Sequence, residues 1–187
     1  MYLRESSMPA QDYWESLFDA DAILTHFGLH GDVAELGCGY GTFTLPLARR
    51  TRGTVHAIDI DPTMVETVQR RAADAGLDNI KAAVRDVMAG GFAAADATLD
   101  GVVLFNILHG ELPLVMLTEA RRVLKPGGTV AVIHWRSDIA TPRGPNLAIR
   151  PSPAAIIAWV AHVGGLEMPR PPFLLPPWHF GLEFTRQ

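Results

Sequence analysis

The segment Val33-Ala34-Glu35-Leu36-Gly37-Cys38-Gly39-Tyr40-Gly41 ends an apolar run on a carboxylate and then places glycine at three alternate positions. Glycine has no side chain and reaches backbone angles closed to other residues, so a ligand can lie directly against such a turn. A helix beginning near Thr42 would aim its free N–H groups at the anionic end of that ligand. This is the chemistry of a nucleotide-like cofactor. A dinucleotide fits poorly, because counting G-x-G-x-x-G from Gly37 and Gly39 puts Thr42 where the third glycine or alanine should let helix and strand pack around a pyrophosphate. Glu35 would repel a pyrophosphate and attract a positive centre, which favours a sulfonium.

Further along, Asp59 ends a second apolar run, beside the glycine turn, where a carboxylate can accept hydrogen bonds from both hydroxyls of a ribose. Asp61 is placed to cap a helix that opens on Pro62. Asn106 ends another run, either facing a ligand or closing the strand through its own side chain. Cys38 sits inside the glycine turn, and its plainer reading is a small buried hydrophobe. The seven histidines show no spacing of the kind a zinc site uses. His109 and Glu111 follow Asn106, while His134, Trp135 and Arg136 close the next run. All five are expected at one edge of the molecule, where a second substrate would sit beside the cofactor. His109 and His134 have the right unperturbed pKa for a general base, about 6.5, and each is equally well read as a structural residue. Arg143, on the proline-stiffened stretch that follows, can bind an acidic group through paired donors or simply face solvent, and Arg150 carries the same two readings.

These residues need a scaffold that gathers strand ends. Val33 to Leu36, Val55 to Ile60, Ile80 to Val84, Gly101 to Phe105 and Thr129 to Trp135 are short β-branched or apolar runs, as strands buried on both faces should be. Between them, Met64, Val65, Val68, Ala72 and Ala75 keep helical spacing up to Gly76, and so do Leu114, Leu117, Ala120 and Leu124 before a Pro126-Gly127-Gly128 turn. Pro46 falls in the first turn of the helix after the glycines, where its missing donor costs little. The alternation predicts a mostly parallel sheet covered by helices on both faces. Tyr13, Trp14, Leu17, Phe18, Ile23, Leu24 and Phe27 predict short amphipathic helices over the cofactor cleft. The proline-rich tail predicts a sixth and a seventh strand.

Taken in order, ELGCGYG, HAIDID, VRDV and RRVLKPGG resemble the class I S-adenosylmethionine-dependent methyltransferases, particularly the small-molecule type 11 branch related to ubiquinone biosynthesis. The resemblance covers roughly Asp32 to Trp135. It implies a Rossmann-like, doubly wound α/β sheet of seven strands in the order 3-2-1-4-5-7-6, the last antiparallel. It also implies S-adenosyl-L-methionine as cofactor, bound by Glu35, Gly37, Cys38, Gly39, Asp59, Ile60, Asp86, Val87 and Asn106. In that pattern Asp86 accepts from the adenine amino group, the Val87 backbone reads the ring edge, and the backbone near Asn106 faces the methionine amino group. His109, His134 and Arg143 are left for the methyl acceptor, with a base needed only if the acceptor carries a proton. The expected reaction is direct in-line transfer to an unidentified small molecule, in which proximity supplies most of the acceleration. FNILHG stands where base- and amino-modifying relatives often carry an Asn/Asp-Pro-Pro-aromatic clamp, which argues against a nucleic-acid substrate. The other readings are a silent cofactor-binding sensor or scaffold and, less well supported, a nicotinamide-dependent oxidoreductase.

Composition agrees with one domain. The chain has 187 residues, 48% hydrophobic and 19% charged, with a net charge of −4 that offers no electrostatic footprint for nucleic acid. One cysteine excludes an internal disulfide, and no apolar run has the length of a membrane span. The N-terminus has no apolar signal core, which makes the cytoplasm the expected compartment. The expected organisation is a single methyltransferase domain over residues 1–187, with a helical cap over 1–30, the cofactor core over 32–135, and the acceptor-side loop and last strands over 136–187. So short a chain leaves little sequence for a lid, so the cleft is expected to be open or closed by a second copy in a homodimer.

Overall fold

The computed structural model describes residues 8–110 and 112–187, so Glu111 lies outside the described residues. Five strands, β1 (Val33–Leu36), β2 (Val55–Asp59), β3 (Ile80–Val84), β4 (Leu99–Phe105) and β5 (Leu124–Trp135), run parallel in the order β3-β2-β1-β4-β5. Val33 stands opposite both Val55 and Gly101, which aligns the ends of β1, β2 and β4. The central strands β1, β4 and β5 are mostly apolar because both faces are covered, whereas the edge strand β3 is largely exposed. Val102 and Leu104 join one buried cluster with helix α6 (Pro113–Val123) and α7 (Pro153–Val163). The alternate residues Val103 and Phe105 join a second cluster with α2 (Ala20–Phe27) and α3 (Thr44–Arg50). Helix α4 (Pro62–Asp74) begins as expected, with the Asp61 carboxylate accepting from the Thr63 N–H at 2.8 Å.

The boundaries shift where local signals meet tertiary pairing. Helix α3 starts at Thr44, two residues later than expected, because the chain at 40–43 is still turning out of the glycines. The Pro126-Gly127-Gly128 segment is drawn into β5 rather than standing as a separate turn. The sheet has eight strands instead of seven. The last, β8 (His179–Arg186), lies antiparallel beside β5, while β6 (Leu166–Glu167) and β7 (Phe173–Leu175) pair with its far edge. The expected sixth strand is thus split into two pieces around Pro169, Pro171 and Pro172, which have no N–H to give a ladder. Otherwise the strand order is the one the resemblance implies. At the N-terminus, α1 (Gln11–Glu15) and α2 form the short helices expected there. No helix among the described residues is long and apolar enough to cross a membrane.

Candidate functional site

The carboxyl ends of β1, β2, β4 and β5 open onto a cleft of about 530 Å³. In doubly wound sheets this edge is where ligands bind. Gly37 and Gly39, with φ of +75° and +50°, carry the chain across the end of β1 in conformations that side chains rarely adopt. The Gly37 and Cys38 amides donate to the Ile58 carbonyl at 2.7 and 3.1 Å, tying the turn to β2. Asp59 completes the tie, accepting from Gly39 N–H at 2.9 Å and from Asp61 N–H at 3.0 Å. Its carboxylate keeps acceptor capacity beyond these bonds, in the cleft wall. Burial raises the Asp59 pKa, against the lowering effect of those amides.

Glu35 is buried beneath the turn at 2% exposure and accepts a 2.5 Å hydrogen bond from the Thr44 hydroxyl. Burial pushes its pKa up to about 8, so near neutral pH it is largely protonated unless a cation faces it. Burial, with Glu35 and Asp59 nearby, also raises the Cys38 thiol pKa far above its usual range. Cys38 is therefore a buried thiol in the wall and no nucleophile. Opposite stands Asn106, at φ +58° and 9% exposed, held by its own N–H on the Ile133 carbonyl at 2.9 Å. Among the described residues, both atoms of its buried side-chain amide lack partners, as does the Thr42 hydroxyl in the same wall. Unpaired buried polar groups cost about 1–3 kcal/mol each, so this wall is built for a polar ligand rather than for its own stability. These orphans, the backbone left bare at Gly37 and Gly39, and an acidic pair with spare acceptor capacity fit a ligand carrying hydroxyls, an amino group and a positive centre.

The other half of the cleft is aromatic. Trp14, Phe43, Phe105 and Trp135 contribute to its wall, while Met8 and Ile107 sit against Gly39 and Gly37. Phe43 meets Phe105 edge-on at 4.9 Å, and Trp14 approaches Trp135 at 6.2 Å. The N-terminal segment is tied down by Tyr40, whose hydroxyl donates to Pro9 O at 2.8 Å. His109 and Arg143 line this half. His134 does not reach it: the side chain is wholly buried behind His109, its Nε2 3.3 Å from His109 Nδ1. Arg150, also buried, is a structural clamp. Its guanidinium donates to the carbonyls of Pro145 at 2.8 Å, Arg136 at 2.9 Å and Arg143 at 3.3 Å, gathering the loop after β5 into the cleft wall.

Glu35, Gly37, Cys38, Gly39, Asp59, Ile60, Asn106, His109 and Arg143 thus meet in one cleft. Asp86 and Val87 lie outside its wall. The Asp86 carboxylate caps the short helix α5 (Val87–Gly90) by accepting from Met88 N–H at 3.0 Å, and the Val87 side chain is buried in the core. Sequence reasoning missed Thr42, Phe43 and Phe105 as wall residues. Their signal was adjacency alone, since Phe105 precedes Asn106 at a strand end and Thr42 and Phe43 follow the glycines.

The sequence profile of the methyltransferase-domain family matches residues 33–128, just over half of the chain. Aklanonic acid methyltransferase of Streptomyces sp. strain C5 is 32% identical over 53% of this chain and 46% of its own length. Dimethylglycine N-methyltransferase of Parasynechococcus marenigrum is 38% identical over 52% of this chain and 35% of its own. The chain spans less than half the length of either of these curated relatives. Among solved structures, a SAM-dependent methyltransferase from Aquifex aeolicus superposes with a TM-score of 0.83 at 25% identity, covering 95% of this chain and 94% of that one.

Proposed function

This chain belongs to the methyltransferase-domain family, and on that premise we propose that it binds S-adenosyl-L-methionine and methylates a small-molecule acceptor of the type 11 class. The observation that carries this reading is the unpartnered amide of Asn106 in the wall of the same cleft as the glycine turn. When bound, this cofactor supplies an activated methyl group on a sulfonium centre. The residues of the chain do the rest. Gly37 and Gly39 leave backbone bare for close approach, Asp59 offers its spare lone pairs to ribose hydroxyls, and Ile60, 37% exposed beside Asp59, offers an apolar face to the adenine ring. Asn106 and Thr42 satisfy their unpaired groups on the polar end, and Glu35, ionised against a cation, supplies negative charge. Asp86, which caps α5 through one oxygen, keeps the other for the adenine amino group, and the Val87 backbone reads the ring edge.

The aromatic half of the cleft, with His109 and Arg143, is the acceptor side and favours a small, partly apolar molecule. Its role is to exclude water and hold the acceptor in line. The names of the two relatives, one acting on aklanonic acid and one on dimethylglycine, support small-molecule chemistry without choosing the methylated atom. Calorimetry with S-adenosylmethionine, S-adenosylhomocysteine and NAD tests the cofactor assignment. The first two should bind and NAD should not; the reverse order would select the oxidoreductase reading. Transfer of a labelled methyl group to a panel of metabolites then separates an enzyme from a silent binding module.

A further inference from the structure

The orientation of His109 follows from two contacts. His134 Nδ1 lies 3.2 Å from the Trp135 carbonyl, and a carbonyl can only accept, so Nδ1 carries the proton. The ring is buried among His109, His179 and Phe180, with the Arg150 guanidinium nearby, and is neutral. Its Nε2 is therefore a bare acceptor. His109 Nδ1, 3.3 Å away, makes a hydrogen bond there only as a donor. This places the proton of neutral His109 on Nδ1 and leaves Nε2 unprotonated on a ring that lines the cleft.

We propose that His134 is a positioning residue that holds His109 in the Nδ1–H tautomer, so that His109 Nε2 faces the acceptor side as a proton-accepting group, matched to a methyl acceptor whose reacting atom carries a proton, such as the hydroxyl of a phenol or enol. The inference rests on the methyltransferase reading of the cleft and deepens it. In the proton step the acceptor O–H bond breaks, a new N–H bond forms on His109 Nε2, and the electron pair stays on the acceptor oxygen. The resulting imidazolium donates more strongly from Nδ1 to His134 Nε2, and the His134 Nδ1–H to Trp135 contact extends the polarised chain. The 3.3 Å spacing is long for such a bond, as catalytic contacts often are before a ligand tightens them. Among the described residues no group of three His, Cys, Asp or Glu side chains is arranged to hold an ion.

Nitrogen-15 spectra of the histidine rings at pH 7 test this directly, since a protonated and a bare ring nitrogen differ widely in shift. The parent protein should show His109 with its proton on Nδ1. A proton on Nε2, or an even mixture, overturns the proposal without recourse to a variant. In His134→Phe the constraint is gone, and His109 should shift toward the Nε2–H form; in His134→Gln, whose amide oxygen can again accept, the Nδ1–H form should return. Persistence of Nδ1–H in His134→Phe would also overturn the role of His134. Calorimetry with S-adenosylhomocysteine on the parent reports on the cofactor cleft separately. Its failure would remove the methyltransferase reading, whereas a wrong tautomer with intact binding removes only this inference.

Discussion

Asp59 serves two masters at the residue scale: it braces the glycine turn through Gly39 and Asp61, and it keeps acceptor capacity for a ligand. Asp59→Ala should weaken S-adenosylmethionine binding by about 1.5 to 3 kcal/mol, the range for a hydrogen bond to a charged group. It should also lower the melting temperature, because two turn amides lose their partner. Calorimetry and a thermal melt check both, and unchanged affinity in a folded variant removes the ribose assignment. Asn106 makes the opposite case. Its αL backbone and unpaired buried amide are both costs in the free protein. Asn106→Gly sheds them, so it should raise the melting temperature while weakening cofactor binding. Stability and affinity moving together would show that Asn106 is there for the fold.

Among the elements, the loop from Arg136 to Arg150 has no regular structure of its own beyond a single turn at Leu147–Ile149, yet it supplies part of the cleft wall. Three backbone carbonyls of this loop converge on one buried guanidinium. Arg150→Met keeps the bulk and removes the donors. It should cost about 2 kcal/mol or more of stability and expose the loop, seen as faster tryptic cleavage after Arg143. Affinity for S-adenosylmethionine should change little, since the cofactor half is held by β1, β2 and their turns. An unchanged cleavage rate would mean that packing against Trp135, whose ring a Cβ at Gly144 would reach at 2.8 Å, holds the loop without Arg150.

At the scale of the whole molecule, buried titratable groups set a stability profile. Burial pushes His134 and His179 down to about 3 from an ordinary 6.5. Between these values the unfolded chain binds more protons, so each histidine makes stability fall as pH drops from 6.5 toward 3, by about 1.4 kcal/mol per pH unit. Glu35 has the opposite sign. Its pKa rises from 4.5 to about 8, so the folded chain holds the extra proton and stability falls as pH rises through that window. Below 6.5 the two histidines, joined by His56 and His109, whose pKa values burial also lowers, outweigh Glu35; above it Glu35 dominates up to about 8. Denaturant titrations should therefore find the free protein most stable near pH 6.5. Saturating S-adenosylmethionine should flatten the alkaline fall, because a bound cation favours ionised Glu35. A maximum near pH 8 in the free protein would contradict the protonated state of Glu35.

What was legible in the sequence is what short-range chemistry dictates. The alternate glycines, the acids at the ends of β1 and β2, and the apolar runs between turn residues define a doubly wound sheet and the cofactor half of its cleft, because the register of β1 with β2 and β4 follows from burying strands on both faces. Asp61 and Pro62 likewise announce their helix. Only the tertiary structure decided the acceptor half. His109 and His134 look equivalent as residues after strand ends, yet β8 covers His134 and leaves His109 in the wall, a difference set by an antiparallel strand some fifty positions downstream. Arg150, readable either as an acid-binding or as a solvent-facing charge, is held by three carbonyls of its own loop. Asp86, expected to accept from the cofactor, also caps α5 through one oxygen of its carboxylate. Where each of these side chains lies is set by packing and hydrogen bonding, which spacing along the chain does not encode.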